Sequence, residues 1–249
     1  MIRKTAIIIL ALISVAVLTC CGKENTADTA VSDTASVKVM SYSDYTAAAI
    51  GAPVAVETYI QAKQSRQEGK ASFYTQSEDG AYFIYQMACT EEEYNKLVTG
   101  TKIRVSGEKA DWSGEIEIAN ASFEILDDKY IAEPTDVTGL IGTNQIAGHQ
   151  NKLVKFEGLT VEPKTDTAGN STAFLYNWDG SGEEGDDLYF DASVNGKKCT
   201  FTVESSLCGP DTDVYKAVKS LKAGDVIDLT GFLYWYEGAN PHITDISVR

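Results

Sequence analysis

An internal duplication constrains the fold of this chain more than any other feature of the sequence. The segment from Gly100 to Gly107 (Gly-Thr-Lys-Ile-Arg-Val-Ser-Gly) matches the segment from Gly224 to Gly231 at an offset of 124. Earlier matches lie at smaller offsets, and the offset only grows along the chain, from 100 to 124, as insertions in a second copy produce. The duplication therefore predicts one unit at residues 42–132 and a second at 133–249.

Each unit has the same order of elements. The first unit is predicted to contain three strands, a short helix and two further strands: Val54–Ala62, Ala71–Gln76, Ala81–Met87, the helix Thr90–Val98, then Lys102–Val105 and Glu115–Ile118. In the last two strands apolar and charged residues alternate, with Ile103, Val105, Ile116 and Ile118 facing inward and Arg104, Glu115 and Glu117 outward. The second unit is predicted to repeat this order with strands Leu153–Val161, Ala173–Asn177 and Leu188–Glu204, the helix Thr212–Leu221, and strands Val226–Tyr236 and His242–Val248. A type I′ turn at Asn195-Gly196 splits the long third strand into a hairpin.

This element order is that of the OB-fold, a five-stranded barrel. Over about residues 42–249 the chain resembles bacterial cell-envelope lipoproteins that carry tandem OB-fold modules. The most specific motif is a Gly-x-x-Ile-x-Val/Leu-x-Gly strand followed by an aromatic residue and a glycine, and it occurs twice. The resemblance implies an all-β fold with short helices, made of two tandem OB-like five-stranded barrels. A pair of other small β-barrels or sandwiches is the alternative.

The N-terminus has the pattern of a secretion signal. Two basic residues precede an apolar run from Ala6 to Leu18, which is shorter than the roughly 20 residues that span a bilayer. The junction Leu18-Thr-Cys-Cys resembles the signal of bacterial lipoproteins, in which a lipidated cysteine becomes the new N-terminus. We therefore expect residues 1–20 to be a signal peptide, Cys21 (with Cys20 as the alternative) to carry the lipid, and residues 21–41 to be a flexible tether. Ordinary secretion or an uncleaved anchor is the other interpretation.

These features predict a lipid-anchored protein on the extracytoplasmic side of the cell membrane. The precursor has a formal net charge of −15, and loss of Arg3 and Lys4 with the signal peptide lowers it to −17. A strongly acidic chain repels the nucleic-acid backbone, so the charge disfavours nucleic acid as a partner.

Aromatic residues on the predicted strands and loops are the candidate ligand contacts. OB barrels bind ligands across strands 2 and 3 and through the loops that join strands 1 to 2 and 4 to 5. The candidate ligand-binding residues at those places are Tyr74, Tyr85, Trp112, Trp178, Tyr234, Trp235, Tyr236 and Asn240. Since alternate strand residues point inward, the opposing interpretation is that about half of them fill the barrels.

Catalytic and metal-binding chemistry is poorly represented. The chain has two histidines and five cysteines, and it contains no Gly-x-Ser-x-Gly nucleophile elbow, no Cys-x-x-Cys motif and no glycine-rich phosphate-binding loop. We therefore expect no enzyme activity, no cofactor and no metal. The acidic segment Asp179–Asp187 lacks the spacing of a calcium loop and is expected to be a solvated turn. Whether Cys199 pairs with Cys208 is left open, as is the oligomeric state.

The sequence thus favours a membrane-anchored, non-enzymatic binding module for a neutral glycan, a peptide or a protein partner. One alternative is single-stranded nucleic-acid binding through a local basic patch on the first unit, made of Lys63, Arg66, Lys70, Lys102, Arg104 and Lys109. Another is a structural accessory subunit of an envelope complex.

Overall fold

The computed structural model describes residues 38–249. The predicted signal peptide, Cys21 and most of the predicted tether lie outside the described residues. Among residues 38–249, no helix is long and apolar enough to cross a membrane. Both units of the duplication belong to one compact unit that contains all the described residues.

The first unit is a closed five-stranded barrel, here called barrel 1. Its elements are α1 (Tyr42–Ala47), β1 (Pro53–Lys63), β2 (Lys70–Gln76), β3 (Ala81–Ala88), α2 (Glu91–Lys96), β4 (Thr101–Trp112) and β5 (Glu115–Lys129). The strands close in the order β1-β2-β3-β5-β4, with β3 parallel to β5 and the other neighbours antiparallel. Alternation sends Ile103, Val105 and Ile118 fully into the core, and Ile116 packs half-buried against it.

Both helices of barrel 1 are fixed by local polar contacts. The Thr90 Oγ1 accepts a hydrogen bond from the Glu93 N–H, and the Glu93 carboxylate accepts one from the Thr90 N–H, forming a capping box at α2. Helix α1 is held by the buried Lys109, whose Nζ donates to the carbonyls of Tyr45, Thr46 and Ala48 at 2.9, 2.8 and 2.7 Å. The ammonium supplies a donor to carbonyls at the C-terminal end of the helix, where backbone acceptors lack the donors of a following turn.

The second unit repeats the barrel and is here called barrel 2. Its elements are β6 (Thr135–Asp136), two short 3-10 turns, β7 (Leu153–Glu162), β8 (Lys164–Thr165), β9 (Ser171–Thr172), β10 (Phe174–Tyr176), β11 (Leu188–Val194), β12 (Lys197–Val203), α3 (Asp213–Lys219), β13 (Val226–Phe232) and β14 (His242–Val248). The sheet runs β7-β13-β14-β12-β11, and pairing of β11 with β7 closes it. The predicted fold class, two tandem OB-like five-stranded barrels with short helices, is confirmed.

The second strand of barrel 2 differs from the sequence prediction. The segment Leu188–Val194 is the barrel's second strand and Lys197–Val203 its third, joined at Asn195-Gly196, where both residues have positive φ (52° and 73°) as a type I′ turn requires. The predicted strand at Ala173–Asn177 is instead part of an insertion between β7 and β11 and pairs only with β11 within the described sheet. The acidic segment Asp179–Asp187 therefore lengthens the connection between the first and second strands.

Three clusters of buried side chains hold the unit together. One fills barrel 1 and a second fills barrel 2. A third is formed by Tyr74, Phe83 and Phe232, which come from both barrels. The three described cysteines, Cys89, Cys199 and Cys208, are free and buried, so the structure has no Cys199–Cys208 disulfide.

Candidate functional site

The third cluster lies on the outer face of β2 and β3, the face that OB barrels use for ligands. Tyr74 is fully buried there and stacks on Phe232 with the ring centroids 4.4 Å apart and the planes 15° apart. Phe83 meets Tyr234 edge to face at 5.4 Å. The loop between β13 and β14 of barrel 2 thus covers the face of barrel 1 on which a ligand was expected. We call this contact between the barrels the seam.

A polar network closes one side of the seam. The Tyr74 hydroxyl lies 2.7 Å from His242 Nδ1, and the same nitrogen lies 3.1 Å from Glu204 Oε2. Tyr234 stacks on the His242 ring at 4.3 Å. Burial raises the pKa of the Glu204 carboxyl, but the adjacent His242 and hydrogen bonds that include one from Gln64 outweigh it and leave the pKa below its usual value. The carboxylate is therefore held in its charged form within the seam.

A second polar contact places a carboxylate with no exposed surface at the seam. Glu115 is fully buried, and its Oε2 accepts hydrogen bonds from the Trp235 N–H at 2.9 Å and from Gln150 Nε2 at 3.2 Å. Its Oε1 has no hydrogen-bond partner among the described residues. Burial raises the pKa of Glu115 to about 8, and the neighbouring Glu117 adds to the effect. Glu115 points outward as the alternation of β5 predicts, but barrel 2 covers it, and Glu117, the next outward residue, is also buried.

The structure separates the predicted ligand-binding residues into two groups. Tyr74, Tyr85, Tyr234 and Trp235 pack in or beside the seam and are buried or half-buried. Trp112, Trp178 and Tyr236 are 38%, 62% and 40% exposed. Asn240 is half-buried and bonded within barrel 2, where its Oδ1 accepts from Thr202 and its Nδ2 donates to the Thr200 carbonyl. No single aromatic platform collects the eight residues, and ligand contact by the exposed ones stays a prediction.

The six predicted basic residues also divide. Lys109 is buried under α1, and Lys102 and Arg104 form ion pairs with Glu57 at 3.2 and 2.8 Å. The remaining three, which we call the cation cluster, lie at the β1–β2 turn and have no carboxylate within 4 Å in the described part of the chain; they are Lys63, Arg66 and Lys70. The patch expected from sequence is therefore half as large as predicted.

The cation cluster is positioned by the start of α2. The Arg66 guanidinium donates through Nε to the Cys89 carbonyl at 2.8 Å. The Lys63 ammonium donates to the Tyr94 carbonyl at 2.6 Å and lies 3.8 Å above the centre of the Tyr94 ring. Lys70 is exposed at the first position of β2. The two anchored cations still have free donors, because a guanidinium carries five N–H groups and an ammonium three.

No protein-family model matches the chain, and no curated protein matches it. Among solved structures, it is similar to a murine DNA-binding protein bound with double-stranded DNA, at 11% identity and a TM-score of 0.37, over 78% of this chain and 94% of that one. It is also similar to a replication protein A heterotrimer bound to single-stranded DNA (10%, 0.30, 79% and 49%) and to a deletion variant of the single-stranded DNA-binding protein from Thermus aquaticus (13%, 0.24, 81% and 96%).

The sequence predictions of the partner and of the ligand class are wrong. We expected nucleic acid to be disfavoured as a partner and the ligand to be a neutral glycan, a peptide or a protein, whereas the matching structures are those of DNA-binding proteins. The physical source of the error is the use of net charge, which does not fix the potential at any one turn of the surface. At these identities and TM-scores the likeness itself transfers no site and no ligand to this chain.

Proposed function

We propose that this protein is a non-enzymatic, lipid-anchored binder of single-stranded nucleic acid, and that the cation cluster is where the phosphate backbone binds. The observation that carries the proposal is a set of three basic side chains at the β1–β2 turn that have no ion-pair partner among residues 38–249. That turn is one of the loops by which OB barrels hold oligonucleotides. Barrel 2 fills the other ligand face of barrel 1 and also contacts this turn, where the Ser65 N–H donates to the Ser206 carbonyl at 2.6 Å. The turn still presents the three side chains of the cation cluster, of which Lys70 is exposed and the other two are half-buried.

The geometry favours backbone contacts over base stacking. Tyr94, the aromatic ring beside Lys63, is half-buried, and its hydroxyl donates to the Gln64 carbonyl at 2.9 Å. The acidic residues Glu68 and Glu93 border the cluster along the chain. Three phosphate contacts predict a slope of about −2 in a plot of log K against log salt for a single strand. We therefore expect weak, sequence-independent and strongly salt-dependent binding.

Fluorescence anisotropy with a labelled single-stranded oligonucleotide tests this proposal, using the chain from residue 22 onward, which contains all described residues. The double variant Arg66→Gln/Lys70→Gln is expected to reduce the magnitude of the salt slope to about 1 or less. The matched control Lys102→Gln/Arg104→Gln removes the same charge from residues already paired with Glu57 and is expected to bind like the unaltered protein. Absence of binding at low salt, or equal losses in both double variants, would contradict the proposal.

The membrane anchor is a separate part of the proposal and rests on the sequence. A lipid on Cys21 would hold the barrels at the extracytoplasmic surface through its buried methylene groups. Metabolic labelling with an alkyne fatty acid in a bacterial host tests the site. Cys21→Ala is expected to abolish the label and Cys20→Ala to retain it, and the opposite result would move the lipid to Cys20.

A further inference from the structure

A cleft of 390 Å³ opens on barrel 1 at residues other than those of the seam and the cation cluster. Its walls come from the start of α1, the middle of β1, the β2–β3 turn and the end of β5. Four tyrosines line it, and we call it the tyrosine cleft after them: Tyr42, Tyr59, Tyr82 and Tyr130. The volume lies within the range of sites that hold small molecules.

The tyrosines are arranged in two edge-to-face pairs. Tyr59 and Tyr130 have ring centroids 5.4 Å apart with an interplanar angle of 61°, and Tyr42 and Tyr82 are 5.6 Å apart at 80°. The face of a tyrosine ring carries partial negative charge and attracts a cation, whereas its edge carries partial positive charge. Burial raises the pKa of Tyr42 and of Tyr82, so both hydroxyls stay neutral at physiological pH. The cleft therefore offers neutral, electron-rich walls.

Carboxylates outnumber lysines around these walls. The charged lining residues are Glu57, Glu78, Asp79 and Asp128 against Lys102 and Lys129. The Asp128 carboxylate accepts a hydrogen bond from the Tyr59 hydroxyl at 2.9 Å. This hydrogen bond lowers the pKa of Asp128, so the carboxylate stays charged. Glu78 and Asp79 are exposed at the β2–β3 turn and have no basic group within 4 Å among residues 38–249. A positive charge at this turn would find unpaired anions there.

The arrangement suits an organic cation better than a metal ion. Among the described residues, no three histidine, cysteine, aspartate or glutamate side chains converge as metal ligands do. A metal needs several oxygens at a single point, whereas here the carboxylates are spread along aromatic walls. Lys102 already shows the mode of binding, since its Nζ lies 5.7 Å from the Tyr59 ring centre and 3.2 Å from Glu57. An ammonium group on an apolar stem would use both kinds of contact.

We propose that the tyrosine cleft is a binding site for a small organic cation, a primary amine whose ammonium end meets Glu78 and Asp79 while its methylene stem lies against the Tyr59 and Tyr42 rings. The site shares no lining residue with the cation cluster, so it stands or falls independently of nucleic-acid binding. Opposite charge preferences separate the two sites: one favours phosphates and the other ammonium groups.

Isothermal titration calorimetry of the chain from residue 22 onward with cadaverine tests the proposal, with the diol of the same length as a neutral probe. We expect the diamine to bind and the diol not to bind. Tyr59→Leu is expected to weaken diamine binding by about 3- to 30-fold, because the second ammonium group of cadaverine loses the face of the Tyr59 ring. Tyr59→Phe keeps the ring and is expected to change the affinity for the diamine by less than about twofold.

A charge-matched pair of variants guards against an unspecific effect. Asp79→Asn is expected to weaken diamine binding, and Asp127→Asn, an exposed carboxylate on β5 that does not line the cleft, is expected to leave it unchanged. Absence of heat with cadaverine, equal binding of the diol, or equal effects of Asp79→Asn and Asp127→Asn would overturn the proposal. Thermal melts of each variant establish that the fold is retained.

Discussion

Replacing Glu115 with glutamine should make the protein more stable at neutral pH and flatten the pH dependence of its stability. The side chain is fully buried at the seam, and burial raises its pKa to about 8 from a usual value of 4.5. Below pH 4.5 the carboxyl is protonated in both the folded and the unfolded chain. Between 4.5 and 8 the folded chain keeps a proton that the unfolded chain releases, so the free energy of unfolding falls as the pH rises.

The magnitude follows from that interval. Within this interval the free energy of unfolding falls by at most about 1.4 kcal/mol for each pH unit. The full interval between 4.5 and about 8 therefore limits the loss to roughly 5 kcal/mol, and about 4 kcal/mol of it has occurred by pH 7.5. A glutamine at this position keeps the acceptor for the Trp235 N–H and cannot ionise. The glutamine amide also places a hydrogen-bond donor where the protonated carboxyl of Glu115 has one. We therefore expect the variant and the unaltered protein to have similar stability at low pH.

Urea unfolding at a series of pH values from about 5 to 9 measures the effect. We expect the free energy of unfolding of Glu115→Gln to exceed that of the unaltered protein by up to about 4 kcal/mol near pH 7.5 and by less than about 1 kcal/mol near pH 5. Glu108→Gln, an exposed carboxylate on β4, serves as the control and should leave the curve unchanged. If the curves of Glu115→Gln and the unaltered protein ran parallel, or if Glu115→Gln were the less stable near neutral pH, the reasoning would be refuted.

Three further substitutions probe other parts of the fold. Tyr74→Phe removes the hydroxyl that meets His242 at the seam and should lower the free energy of unfolding by about 1–2 kcal/mol, measured by urea unfolding. Lys109→Met leaves three carbonyls around α1 without their donor and should cost about 2–4 kcal/mol, with faster hydrogen exchange confined to α1. Gly231→Ala puts a methyl group 2.2 Å from the His242 carbonyl oxygen and should lower the melting temperature severely, whereas Gly139→Ala, with no atom within 4 Å, should leave it unchanged; equal melting temperatures would contradict the packing argument.

Local chemistry made much of the architecture predictable. The Thr-Glu-Glu-Glu run at 90–93 specified a helix start because its own side chains cap the backbone, and Asn195-Gly196 specified a turn because both residues tolerate positive φ. The duplication then fixed the order of elements twice. The second strand of barrel 2 was wrongly assigned to Ala173–Asn177, because a strand in an insertion and a strand in the barrel have the same local pattern.

The contact between the two barrels was not predicted from the sequence, although a run of bulky residues in barrel 2 gave an indication of it. Four successive bulky residues at 233–236 cannot all face into a barrel, which predicted that some lie outside it or under a loop. Tyr234 packs on the cluster that joins the two barrels, and Trp235 packs both on the core of barrel 2 and on Gly114 of barrel 1. Glu115 and Glu117 point outward as their alternation predicts and are buried nonetheless, and the groups that cover Glu115 include Gln150 and Trp235 of barrel 2.

The residues alone thus predicted two barrels, the element order of barrel 1 and which side of its strands faces the core. Those properties depend on contacts between neighbours in the chain and on the alternation of side chains along a strand. Which outward faces are open could be seen only in the folded protein. That outcome depends on how one barrel docks on the other, and the docking brings together residues such as Tyr74 and His242 that are far apart along the chain. It is the reason that the aromatic face became a seam, and that the open candidate surfaces are the cation cluster and the tyrosine cleft.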